Sequence, residues 1–214
     1  MTMKIYFSAI LLFLLFFLVN QEEGGTAVIE NLQIDTQNST VEFTAIGNPS
    51  MLTIKGTGAA PTGKLTISDE YATGFFEFDL NSLDTGINLR DRHMKEKYLE
   101  VAKENGLYAK TSFLLNKLIL PKQESFTLEN IAFSGVLKLH GVEKNVSGVA
   151  SKITRQKFNF TTHASLKIKL SDFKIAIPSY AGITVAEEVD VLVKIAGTIV
   201  SEQKINDSSK AKSK

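Results

Sequence analysis

The chain of 214 residues is long enough for one moderate domain with a full core, and 43% of it is hydrophobic. A formal charge of +1 leaves no electrostatic case for a nucleic acid partner. The absence of cysteine excludes disulfides, thiolate metal sites and a lipidated N-terminal cysteine.

From the N-terminus, Lys4 precedes an apolar run from Ile5 to Val19. That is shorter than the ~20 residues a spanning helix needs, and it suits the apolar part of a secretory signal. Residues 1–27 therefore read as a signal peptide or, if retained, a membrane anchor. Either reading puts the folded part, 28–200, outside the cytoplasm, in a periplasmic or secreted setting. Residues 201–214 are polar and lysine-rich and read as a disordered tail.

Between these ends, short apolar–polar alternations recur with turn signals between them. Thr40 to Ile46 alternates and stops at Gly47-Asn48-Pro49; Met51 to Lys55 follows. The glycine-rich stretch Gly56 to Gly63 reads as a loop. Lys64 to Ser68 and Gly74 to Leu80 are further strands. After a helical insert come Lys110 to Leu120, a break at Pro121, and Ser125 to His140. Gly141 to Lys144 reads as a hairpin connection into Asn145 to Ile153. Lys157 to Leu170 is another long strand, and Ser171 to Gly182 is irregular around Pro178. The last strand is the clearest, with Val189, Val191, Val193, Ile195, Gly197 and Ile199 on one face. Long strands with little helix predict an all-β antiparallel barrel of about eight strands, because closure removes exposed edges. The apolar outer positions Leu192, Ala196 and Val200 leave a homodimer contact open.

The insert lies between Ser82 and Lys103. After a turn at Asp84-Thr85-Gly86, Met94, Tyr98, Val101 and Ala102 recur at helical spacing, with Leu99 widening the stripe. Arg90, Arg92, Lys95, Glu96, Lys97, Glu100 and Lys103 fall mostly opposite. Asn88 suits the N-cap and Asn105-Gly106 the stop. One helix in an otherwise β chain is expected to cover a barrel end.

The catalytic inventory is thin. His93, His140 and His163 are the histidines, and His93 with Glu96 is the single ligand-type pair at helical spacing, so no metal is expected. Ser171-Asp172-Phe173-Lys174 matches a serine-x-x-lysine pattern but ends a strand and lacks a Lys-Thr-Gly partner. No catalytic residue is assigned; a hydrolase or isomerase using His93 with Asp91 is a minor alternative. Of the 14 phenylalanines, the ten from Phe43 to Phe173 spread over most strands and either fill a core or line an apolar tunnel for a chain-like lipid. Each buried methylene contributes about 0.8 kcal/mol to such binding.

The order of motifs resembles the YceI-like family. Its pieces are Ser39-Thr40-Val41-Glu42-Phe43; Leu83-Asp84-Thr85-Gly86 with Arg90-Asp91-x-His93-Met94 and Tyr98-Leu99; Phe133-Ser134-Gly135 with Leu137-x-Leu139-His140-Gly141-Val142; and Leu170-Ser171-Asp172-Phe173-x-Ile175 before a valine-rich strand. The resemblance implies a lipocalin-like extended barrel, generally exported, that holds a polyisoprenoid or isoprenoid quinone without catalysis, metal or other cofactor. Two positions depart from the family's usual pattern, Ile46-Gly47 and Tyr98-Leu99, and both are expected at the cavity.

The function expected is binding, transport or storage of an amphiphilic isoprenoid or quinone-like lipid. Phe76, Phe78, Phe113 and Phe133 would form the wall with some of the final valines. Arg90, Asp91, His93 and Met94 would sit near the mouth. A structural or stress-protective barrel with no ligand is the alternative. If Ala196 faces inward, Ala196→Phe separates the two.

Overall fold

The computed structural model describes residues 29–48, 52–68, 70–180 and 183–202. The expected leader or anchor over 1–27 and the basic tail beyond 202 lie outside them. The strands are β1 (Ile29–Ile34), β2 (Thr40–Asn48), β3 (Thr53–Gly58), β4 (Thr62–Ile67), β5 (Tyr71–Asp79), β6 (Lys110–Ile119), β7 (Ser125–Leu139), β8 (Val142–Gln156), β9 (Asn159–Lys169), β10 (Ser179–Tyr180) and β11 (Ile183–Glu202).

Their pairing is a closed antiparallel meander. β1 with β2 forms one long bent ribbon, and β3 with β4 forms the next: β2 pairs β3, and β1 pairs β4. Strands β5 to β9 follow in order. β11 then pairs β9 on one side and, on the other, β2 through Thr184–Lys194 and β1 through Gly197–Glu202. Eight ribbons thus close into a barrel, with β6 and β7 paired only over Ser112–Leu115 and Gly135–Lys138. Ser201 and Glu202 belong to β11, two residues past the predicted boundary.

The glycine-rich loop predicted over Gly56–Gly63 is mostly strand. β3 runs through Gly56 and Gly58, and Gly63 belongs to β4. Those glycines serve close approach, because a methyl on Gly56 would sit 2.3 Å from the Phe43 ring and one on Gly58 would sit 2.4 Å from the Phe78 ring. The predicted four-residue hairpin at Gly141 is tighter than expected. His140 and Gly141 turn with φ of 51° and 74°, and Val142 already pairs with Leu139.

The predicted helix is shorter and broken. Helix α1 spans Asn88–His93, with Ile87 rather than Asn88 in the capping position. It continues as a widened π turn over Met94–Tyr98, where Leu99 N–H reaches the Met94 carbonyl at 2.9 Å. Glu100 then reverses the chain with φ 48°. A left-handed glutamate costs roughly 1–2 kcal/mol, and its side chain is pinned on two sides. Lys103 Nζ lies 3.0 Å and His140 Nε2 3.0 Å from Glu100 Oε2. Val101 therefore leaves the helix to become core, while Ala102 stays exposed. Asn105 and Gly106, predicted to stop this helix, are both left-handed but end a separate 3₁₀ turn.

Two apolar clusters lie toward the two ends of the barrel. The lower one includes Ile67, Ala72, Leu120, Ile153, Phe160 and Ile199. The upper one joins Leu80, Leu83, Val101, Leu139, Phe173 and Ile175 under the α1 segment. At the lower end a bulge in β8 beyond Ala150 shifts the strand's alternation. Ile153 and Arg155 are buried as a result. Arg155 donates from Nη1 and Nη2 to both Glu30 oxygens, at 2.7 and 2.9 Å, and from Nε to the Lys157 carbonyl at 3.1 Å. Because β9 and β11 separate β8 from β1 in the sheet, this pair ties two strands that do not touch by backbone.

Candidate functional site

A cavity of about 590 Å³ occupies the barrel between the two end clusters. Its deep part is formed by Leu65, Ala150, Ile153, Phe160 and Ile195, and its mouth by Leu52, Ile87 and Leu89. Strand alternation supplies the wall. From β11 come Val185, Val189, Val191, Val193 and Ile195; from β9 come Phe160, Thr162, Ala164, Leu166 and Ile168. Ala150 and Ala164 are direct cross-strand partners, which leaves the wall thin between β8 and β9.

Phenylalanines line this space without filling it because glycines on the next strand let their rings lie flat. Phe133 lies over Gly148 and Phe113 over Gly135; a methyl at either glycine would come within 2.4 Å of a ring carbon. The two rings meet edge to face with centroids 6.0 Å apart. Phe76 and Phe78, with Phe43 and Phe160, complete the phenylalanine wall. All four aromatic residues singled out from the sequence thus face the cavity.

Polar groups gather at the mouth. Arg90, His93, Met94, Tyr98 and Leu99 line it, as does Thr85. Tyr98 is fixed against β10, its hydroxyl 3.3 Å from both the N–H and the carbonyl oxygen of Ser179. Ile46, by contrast, is 44% exposed and absent from the wall, so of the two departures only Tyr98-Leu99 touches the cavity.

Asp91 is not in the wall. The residue is only 8% exposed, and its side chain turns onto Thr85, accepting from that residue's N–H at 2.9 Å and from its hydroxyl. Arg90 reaches the same residue, donating from Nε to Thr85 Oγ1 and from Nη2 to the Thr85 carbonyl, both at 2.8 Å. Asp84 Oδ1 accepts from Gly86 N–H at 2.6 Å, and Asp84 pairs with Thr57 through two backbone hydrogen bonds of 2.8 Å. The Asp-Thr-Gly and Arg-Asp motifs therefore form one latch that ties α1 to β3. No sequence spacing signalled Thr85 as its hub. Among the described residues, no three of His, Asp and Glu converge on a metal-ligating point.

Burial alone would raise the Asp91 carboxyl, but the hydrogen bonds from Thr85 and the nearby Lys95 charge outweigh it and hold the group below its ordinary value. A depressed pKa contributes stability that is complete above the unfolded value of about 3.9 and is lost as pH falls through the folded value. Asp91→Asn is expected to lower stability at neutral pH by about 1–3 kcal/mol and to flatten the acid limb. Denaturant midpoints taken from neutral pH to about pH 3 check this; parallel curves for the two proteins would reject it.

Ala196, conditionally proposed for a filling substitution, does not line the cavity. It alternates with the inward Ile195, and its N–H and carbonyl both bond the Ser39 hydroxyl.

Comparison with known proteins supports the fold. Burkholderia cenocepacia BcnA superposes with a TM-score of 0.61 at 14% identity, covering 78% of this chain and 100% of that one. A polyisoprenoid-binding domain from Saccharophagus degradans, implicated in plant cell wall breakdown, gives 0.58 at 16% identity, covering 78% and 98%. The Campylobacter jejuni YCEI protein gives 0.51 at 18% identity, covering 72% and 88%. No curated protein sequence matches the chain. The model of the YceI-like domain matches residues 32–196, a span that holds most of the barrel, the Thr85 latch and α1. The chain belongs to the YceI-like family.

Proposed function

We propose that the protein binds a long-chain isoprenoid or quinone-like lipid in the barrel, as a non-catalytic carrier or store. The observation that carries this reading is the 590 Å³ bore with its hydrocarbon wall. On the scale of engineered voids, about 24 cal/mol per Å³, a dry void of that size costs as much as the whole stability of a domain, ~5–15 kcal/mol. An apolar chain fills it and gains about 0.8 kcal/mol per methylene. The head group lies at the mouth, within reach of Arg90, His93 and the Tyr98 phenol. Asp91, spent on Thr85, positions the latch rather than the ligand, which also argues against an acid–base pair with His93. A ligand-free scaffold would have a packed interior, and the bore speaks against it. The S. degradans domain, a polyisoprenoid binder of the same fold, supports the choice of lipid. A periplasmic or secreted location is part of this reading, supported by the family and by the apolar run Ile5–Val19.

Organic extraction of the purified protein followed by mass spectrometry is expected to recover one lipid class at near-stoichiometric amount. Recovery of none from several expression hosts would overturn the proposal.

A further inference from the structure

We infer that the mouth of the barrel is a docking surface for an anionic lipid bilayer, on which the bore opens directly toward the acyl region. This rests on the reading of the bore as a lipid site. Leu52, Ile87 and Leu89 are 38%, 52% and 48% exposed, yet each also lines the cavity. They come from two separate segments, the approach to β3 and the start of α1, and together form an exposed apolar rim that is part of the cavity lining. It is continuous with the wall, and a water-insoluble tail leaving the bore meets hydrocarbon from the first step.

Charge on the same element fixes the kind of surface. Arg92 and Lys97 are exposed on α1 and the turn after it, with Lys95 between them. Glu96 is the one exposed acid of that stretch, because Asp91 is buried against Thr85. A short element with aliphatic residues toward the opening and a cationic outer side has the pattern of an interfacial anchor. The other end of the barrel differs in having no opening: Phe158 and Ile119 are exposed there too, but packed side chains and the Arg155–Glu30 pair close it.

The chain has no tryptophan, so a single introduced indole reports its own position. Full-length Leu89→Trp places one at the mouth. Full-length Phe158→Trp places one at the opposite end, where Phe158 is 62% exposed between β8 and β9. Phosphatidylcholine vesicles, with and without phosphatidylglycerol and with brominated acyl chains as quencher, are the probe. Leu89→Trp is expected to shift to the blue and to be quenched on the phosphatidylglycerol vesicles. Apparent affinity should fall several-fold with added salt and with Arg92→Glu plus Lys97→Glu, while Phe158→Trp stays unchanged. A Leu89→Trp signal that remains aqueous overturns the proposal, even if the chain sediments with vesicles through its N-terminal segment. Equal responses from both tryptophans overturn it too. Lipid extracted from the same preparations separates the two ideas: a silent mouth on a lipid-loaded protein removes docking alone, and an unloaded wild type removes the carrier reading beneath it.

Discussion

Ala164→Phe is expected to strip the barrel of lipid and leave it folded. Ala164 faces the bore from β9, paired across the strands with Ala150 on one side and Val193 on the other. A ring there enters space that holds no protein atoms, so the usual cost of overpacking, about 1–3 kcal/mol, does not apply in full. The ring displaces ligand instead. Excluding three methylenes already forfeits about 2.4 kcal/mol, roughly fiftyfold in affinity. Lipid content by mass spectrometry and the denaturation midpoint, measured on one preparation, give the answer. A collapse in stability with no effect on lipid would mean that the interior is packed and that the cavity is not the binding site.

Glu30→Ala is expected to cost about 3–5 kcal/mol. The substitution strands the Arg155 guanidinium, which is 7% exposed and keeps only the Lys157 carbonyl as acceptor. Replacing both partners by an apolar pair, Glu30→Leu with Arg155→Met, is expected to recover most of the loss, because exchanging a buried ion pair for well-packed apolar side chains is often neutral or stabilising. A double-mutant cycle in denaturant measures the coupling. Single variants within about 0.5 kcal/mol of wild type would show that the pair is no more than a surface contact.

How far each feature could be read in advance depended on how local its cause was. The alternation from Val189 to Ile199 marks one strand face, and period two survives closure into a barrel, so the inward valines were legible. The Arg90-Asp91-x-His93 cluster was legible as a unit, but its division of labour was not. Thr85, the shared partner, has no distinguishing side chain, and its place at the centre of the latch depends on the turn that follows β5. Helix spacing carried Val101 into α1, whereas the Glu100 reversal depends on His140, forty residues away in the hairpin between β7 and β8. Arg155 could not be placed at all. A strict alternation through β8 aims it at solvent, and only the bulge after Ala150 turns it inward.

The sequence by itself determined an all-β chain with one helical insert, its strand faces and the motifs of its family, because each of these is a matter of spacing along the chain. Hollowness was decided by tertiary structure alone. The ten phenylalanines from Phe43 to Phe173 could fill a barrel or line it. Phe43, Phe76, Phe78, Phe113, Phe133 and Phe160 line it, because Gly56, Gly58, Gly135 and Gly148 lie beneath four of these rings and because Ala150 meets Ala164 across a register that exists only once the sheet has closed. A cavity is the volume left over between facing side chains, and the facing is set by strand pairing, which no single segment encodes.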